Sequence, residues 1–253
     1  MGYLQPNHDV KMYKHFVWSP DSENRNNLTI QYEPLQPYVF LAAIRGLAGR
    51  GCVVFDVGAN IGAYSILAQQ IPSVEKVYAF EAEKTAYGEL CKNIKLNNVS
   101  DKVEPHFLAV SDHNGEVVFG VQSPMAGING VMDTIMHKLD FFKEQRKIQS
   151  VALDAEYCFQ NRMLFFKIDV EGHESAVIKG ADNLFSNNRC FIQIEIYRGQ
   201  ERGKQILAEH GYKQILKTGP DCYFTNLEWT ATDTVALVED AVKDMIKYNT
   251  ARY

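Results

Sequence analysis

The sequence predicts a doubly wound α/β domain, a mostly parallel sheet with helices on both faces and a terminal antiparallel hairpin. Three observations predict it. From Cys52 onward, short apolar runs of strand length alternate with helical stretches, the pattern of parallel strands covered on both sides. A glycine-rich turn, "DVGANIG" (Asp56 to Gly62), joins the first such strand to the helix after it, where open α/β sheets bind ligands. Near the far end, two strand-like runs flank Gly219 and Pro220, a hairpin signal.

The elements follow in order. Residues 1–48 are a polar lead and then a helical pattern through Tyr38, Phe40, Leu41 and Ile44. Val53–Asp56 is a strand, Tyr64–Gln70 a helix, Val77–Phe80 a strand, Lys84–Leu96 a helix and Val103–Val110 a strand. Val117–Val121 reads as an extra edge strand, and 122–150 as an irregular insertion with Gly127, Gly130 and a helical piece. Leu164–Val170 and Phe191–Ile196 are buried strands, and Glu201–His210 is a helix stopped by Gly211. The hairpin pairs Tyr212–Leu216 with Cys222–Thr225. The α/β body is therefore expected over 49–225, with 226–253 a C-terminal amphipathic helix. Val235, Val238, Val242 and Met245 form its apolar face, expected to cover the domain or a partner subunit, which allows a homo-oligomer.

Composition bounds the function. The chain has 253 residues, 46% hydrophobic and 23% charged, with a formal charge of −5, so no basic face points to a nucleic-acid partner. The densest basic stretch, Lys138 to Lys147, contains interspersed acids and reads as a solvated helix face. No apolar run approaches the ~20 residues of a membrane span. Five cysteines without close pairing read as free thiols in a reducing cytoplasm.

The glycine turn carries chemistry. It departs from the dinucleotide fingerprint, because Asn60 and Ala63 occupy the second and third glycine positions. Asp56 would sit poorly beside a pyrophosphate, but it suits a ligand with an ammonium group and no phosphate. S-adenosyl-L-methionine fits better than NAD. Glu81, ending the next strand in "VYAFEAE", can accept hydrogen bonds from ribose hydroxyls. Either acid could instead cap a helix.

"FFKIDVEGHE" (Phe165 to Glu174) starts as a buried strand and turns polar at once. Strand alternation puts Lys167 and Asp169 on one face, as it does Gln193 and Glu195 in "FIQIEI". Asp56, Glu81, Asp169 and Glu195 then converge on the carboxyl edge of the sheet, where unpaired acids are costly without a purpose. Methyl transfer to a hydroxyl requires a base or a metal. Asp169 with Glu195 could hold Mg²⁺, or His173 could act as the base. Lys167 could neutralise one of the acids in a structural ion pair, and Glu171 and Glu174 could be first-turn acids favoured by a helix dipole.

"FDVGANIG", "FEAE", "VALDAEY" and "FFKIDVEGHESAVIKGA" followed by "FIQIEI" resemble class I S-adenosylmethionine-dependent methyltransferases of the FkbM family, over roughly Gly51 to Phe224. The resemblance implies a seven-stranded Rossmann-like sheet and O-methylation of a sugar or other polyhydroxylated small molecule. It implies cofactor contacts at Asp56, Gly58, Ala59, Asn60, Gly62 and Glu81. Asp169, Glu171, His173 and Glu195, with Lys167, match its second signature and are the candidate catalytic group. Tyr197, Arg198 and the region of Trp229 are candidates to line the acceptor site from their positions after rim strands. The competing readings are a nucleic-acid ribose methyltransferase using Asp169, Lys179 and Glu195, and a non-catalytic binding domain that retains the fold.

Overall fold

A computed structural model gives the fold and describes residues 33–132, 142–197 and 201–250. The chain runs through α1 (Gln36–Leu47), β1 (Cys52–Val57), α2 (Ala63–Ala68), β2 (Val74–Phe80), α3 (Lys84–Leu96) and β3 (Val103–His106). There follow β4 (Ala109–Val110), β5 (Gly115–Val121), β6 (Gly130–Val131), β7 (Glu144–Val151) and α4 (Leu153–Glu156). The second half holds β8 (Met163–Ile168), α5 (Glu174–Lys179), α6 (Asp182–Asn187), β9 (Arg189–Glu195) and α7 (Arg202–Glu209). It closes with β10 (Lys213–Thr218), β11 (Asp221–Thr225) and α8 (Ala231–Thr250).

Seven strands form the main sheet, in the order β10-β11-β9-β8-β1-β2-β3. The pairs from β9 through β8, β1 and β2 to β3 are parallel, while β11 is antiparallel to both β9 and β10. The sheet is thus mixed, with β11 its reversed strand. Alternating side chains feed two cores, as a sheet covered on both faces requires. Leu164, Phe166 and Ile168 of β8 join Val177, Ile178, Leu184 and Phe185 on one face. Phe165 joins Phe40 of α1 and Phe191 of β9 on the other. Phe55 and Phe166 stack between adjacent strands with ring centroids 4.8 Å apart. Burying each such ring contributes about 1.5–3 kcal/mol. Among the described residues no helix is long and apolar enough to cross a membrane, and the five cysteines are free thiols.

Several expected elements change. Val103–Val110 is two strands: β3 stays in the main sheet, and β4 departs to a second sheet after the exposed Phe107. That sheet has the order β4-β7-β5-β6, so β5 is no edge strand of the main sheet but pairs on both sides with β7 and β6. The insertion is correspondingly less irregular than its loose patterning suggests. The helical piece expected within it falls at residues outside those described, but Glu144–Lys147 belong to β7 and are no helix face. There Lys147 pairs across the sheet with Glu116, and Arg146 with Glu144 along its own strand. The predicted apolar face of α8 is partly displaced, although Met245 packs against the core as expected. Leu237 and Ala241 enter the core, Asp244 pairs with Arg45 of α1, and Val235 is exposed. Contact with α1 selects that face, through a buried ion pair that a search for apolar spacing passes over.

Candidate active site

A cavity of about 500 Å³ opens at the carboxyl edge of the main sheet, over the ends of β1, β2, β8 and β9. Seven carboxylic residues line it, Glu33, Asp56, Glu81, Glu83, Asp169, Glu171 and Glu195. Among the described lining residues, Lys167 is the one lysine or arginine.

The turn after β1 is built by local necessity. Gly58 has φ +82°, and a Cβ there would fall 1.8 Å from the Asp169 carbonyl oxygen. A glycine is therefore dictated by the approach of β8's end, whatever the ligand. Gly62, at φ +91°, opens α2 and faces Leu90, where a Cβ would come within 2.6 Å of Cδ1. It does not line the cavity, whereas Gly58, Ala59 and Asn60 do. Asp56 is buried, and its Oδ2 accepts from the Ser65 backbone N–H at 3.0 Å and Ser65 Oγ at 2.6 Å. It therefore caps the first turn of α2 from β1 while also lining the cavity. Burial pushes its carboxyl up to about 6, against the Ser65 hydrogen bonds.

Glu81 holds the turn from the next strand. Its Oε2 accepts from the Asn60 N–H at 2.7 Å and its Oε1 from the Glu83 N–H at 2.6 Å. Burial lifts its carboxyl to about 7, opposed by those two hydrogen bonds. Glu83 in turn caps α3, accepting from the Ala86 N–H at 2.8 Å. Asn60 Oδ1 is buried without a hydrogen-bond partner, a polar atom of the kind that a bound molecule satisfies.

The end of β8 answers the question raised by its charges. Lys167 is buried, with Nζ 3.2 Å from Asp221 Oδ1, 3.4 Å from Asp169 Oδ2 and 5.2 Å from the centroid of the Tyr64 ring. Burial lowers its affinity for the proton, but Asp169, Asp221, Glu33 and Glu195 overcome that and hold the ammonium well above its usual range. Asp221 also accepts from Gln193 Nε2 at 2.7 Å. Lys167 is therefore a fixed cation within a buried network, and β11 supplies the nearer and more deeply buried of its two ion-pair partners. Sequence reasoning missed Asp221, Gln193's bond to it, and Tyr64, whose hydroxyl bonds Gln193 and Glu33 at 2.9 Å each.

Above that network, carboxylate oxygens of Asp169, Glu171 and Glu195 lie within 4.8 Å of one another. Burial and the neighbouring Asp169 push the Glu195 carboxyl up to about 10, and Tyr197 donates to it at 2.7 Å. Three hard oxygen donors also fit a divalent cation. Glu171 has φ +54°, as Asn60 has +51° and Met125 +55°, and all three line the cavity. Left-handed conformations at Glu171 and Met125 are strained for side chains of their kind. His173 lines the cavity too, with Nε2 2.9 Å from Ser111 Oγ. Glu174 turns inward to accept from the Gly172 N–H at 2.9 Å. Burial, against that hydrogen bond, lifts its carboxyl to about 7. Lys179 lies exposed at the far end of α5, away from the cavity. Tyr197 lines the cavity, Trp229 does not, and Arg198 lies outside the described residues.

The cleft has acids at the tips of four adjacent strands, with its lysine tied down by one of them, Asp169, and by Asp221 of β11. That lining fits a cationic nucleoside and opposes a pyrophosphate. Fold and cleft together define the class, an α/β protein of the methyltransferase type. Residues 56–222 match the model of the methyltransferase FkbM domain, and the chain belongs to that family. Hexuronic acid methyltransferase AglP of Haloferax volcanii is 29% identical over 149 residues, covering 58% of this chain and 56% of that protein. The crystal structure of methyltransferase FkbM from Methylobacillus flagellatus KT superposes with a TM-score of 0.51 at 19% identity, over 79% of this chain and 52% of that one. That likeness shows the fold. The chain spans little more than half the length of either relative.

Proposed function

We propose that the chain transfers the methyl group of S-adenosyl-L-methionine to a hydroxyl of a sugar or similar polyhydroxylated small molecule. The observation that carries this reading is the acid-lined cavity running from Glu81 at the tip of β2 to Asp169 and Glu195 at the tips of β8 and β9. A relative that acts on a hexuronic acid supports a sugar-like acceptor. Bound in this cavity, S-adenosyl-L-methionine supplies an electrophilic methyl group on a sulfonium. Glu81, with each oxygen fixed by one backbone amide, offers its remaining lone pairs to the ribose hydroxyls. Asp169, in its ion pair with Lys167, takes the proton of the acceptor hydroxyl. Glu195, held by Tyr197, orients that hydroxyl by hydrogen bonding. His173, bonded to Ser111, steadies the turn that presents Glu171.

The grouping of Asp169, Glu171 and Glu195 raises a second version of the proton step, in which they would hold a divalent cation such as Mg²⁺, and that ion would supply Lewis acidity. Calorimetry with S-adenosylhomocysteine and NAD tests the cofactor. Binding of NAD without S-adenosylhomocysteine sinks the proposal. Transfer of labelled methyl to a panel of neutral hexosides, amino sugars and hexuronic acids then tests the acceptor class. Loss of turnover in EDTA, restored by Mg²⁺, selects the metal version, and unchanged turnover selects Asp169 alone.

A further inference from the structure

The family match begins at residue 56, yet Glu33, just ahead of α1, and Gln36, the first residue of that helix, form part of the cavity wall. Glu33 is joined to the cavity floor. Its Oε2 accepts from the Tyr64 hydroxyl at 2.9 Å, and that hydroxyl accepts from Gln193 Nε2 at 2.9 Å. Among the described residues, Glu33 Oε1 has no hydrogen-bond partner.

A nucleoside whose ribose meets Glu81 on β2 and which extends along the sheet edge passes over β1 and reaches β8. Most acids at that end are already engaged. Asp221 holds Lys167 and Gln193, Asp56 Oδ2 holds Ser65, and Asp169 is paired with Lys167. Glu33 presents a carboxyl with an oxygen left over in a partly desolvated wall, where burial favours its protonated form, the Lys167 ammonium opposes that, and a second cation would hold it ionised. A sulfonium has no N–H or O–H to donate, so the group that suits this oxygen is an ammonium, which donates three charge-assisted hydrogen bonds.

We propose that Glu33 binds the α-ammonium of the cofactor's amino-acid moiety, so that the segment ahead of the family domain completes the cofactor site. This rests on the reading of the cavity as an S-adenosyl-L-methionine site. Calorimetry on the full chain with two ligands tests it: S-adenosylhomocysteine, and 5′-methylthioadenosine, which keeps the nucleoside thioether and lacks the amino-acid group. Glu33→Gln is expected to weaken S-adenosylhomocysteine by at least about tenfold, the scale of one hydrogen bond to a charged group, and to leave 5′-methylthioadenosine unchanged within about twofold. Equal weakening of both ligands gives Glu33 a structural role only and overturns the proposal, as does no change in either. A measurement on the unaltered chain guards against a variant that fails to fold. Deaminated S-adenosylhomocysteine should bind at least about tenfold more weakly than the parent, and equal affinity overturns the proposal. Failure of the unaltered chain to bind either nucleoside refutes the cofactor reading itself, and with it the role of Glu33, before any variant is made.

Discussion

Replacing Lys167 by methionine tests the buried network most directly. The substitution nearly preserves side-chain length and removes the ammonium between Asp221 at 3.2 Å and Asp169 at 3.4 Å. The Asp221 side chain is 1% exposed, so its carboxylate is left inside the protein with Gln193 as its remaining donor. Breaking one partner out of a buried pair costs about 3–5 kcal/mol. The Asp169 side chain is 25% exposed, and solvent takes up part of that loss, so its share is smaller. A total of about 4 kcal/mol follows, a large fraction of the 5–15 kcal/mol typical of a domain. Lys167→Met combined with Asp221→Asn removes both charges and is expected to recover most of the loss, because an uncharged pair of similar volume leaves no buried ion. Urea unfolding followed by circular dichroism at neutral pH, with unchanged m, gives the three free energies. A loss below about 1 kcal/mol for Lys167→Met, the scale of an exposed pair, would refute the network. So would a double variant whose loss is the sum of the two single ones.

Three further outcomes are expected. Asp169→Asn should lower kcat by about 10²–10⁴, the usual contribution of a positioned base, and leave the affinity for S-adenosylhomocysteine little changed; retained turnover moves the proton to another group. Gly58→Ala should destabilise the fold by about 1–3 kcal/mol or more, since the added Cβ would lie 1.8 Å from the Asp169 carbonyl oxygen at positive φ; a melting temperature within a degree of the parent would contradict the packing. Stability of the ligand-free chain should fall as pH rises from about 4.5 to about 7, because burial lifts Glu81 and Glu174 to about 7 and Asp56 to about 6. Their folded-state values exceed the unfolded ones, so the folded form binds more protons and its advantage disappears as pH passes through the folded values; denaturant titrations at pH 5 and 7.5 check the sign.

The strands of the main sheet were legible because buried parallel strands leave uninterrupted apolar runs such as Leu164–Phe166 and Phe191–Ile192, whose side chains are almost wholly inaccessible. The rim acids were legible for the opposite reason, as charges stand out where such runs end. The second sheet was harder to read. In β7, "EQRKIQSV", the burial is shallow until Ser150 and Val151, so the alternation is faint and the charges resemble those of a solvated helix. The glycine turn was located correctly, but its glycines answer first to Asp169 and Leu90. Spacing within a motif does not distinguish backbone packing from ligand approach. Glu33 lies beyond the reach of motif reasoning altogether, because only the docking of α1 brings it to Tyr64.

Asp221 shows why topology was needed to account for the lysine in β8. In a parallel strand the residue at the carboxyl edge is the last one, which is why Glu195 could be picked out as the end of β9. Strand β11 is reversed, so the residue it brings to the same edge is its first, immediately after Gly219 and Pro220. Asp221 stands opposite Glu195, and Lys167 stands opposite Gln193 on the strand between them. An acid that begins an antiparallel strand reads in the sequence as part of a turn, yet here it neutralises a cation two strands away. With Asp221 holding Nζ from one side, and itself fixed by Gln193 Nε2, the ammonium reaches Asp169 at 3.4 Å without being free to approach a ligand. The reversal of β11 is therefore part of the site: it lets one buried lysine hold Asp169 at the rim while its own charge is met from beneath.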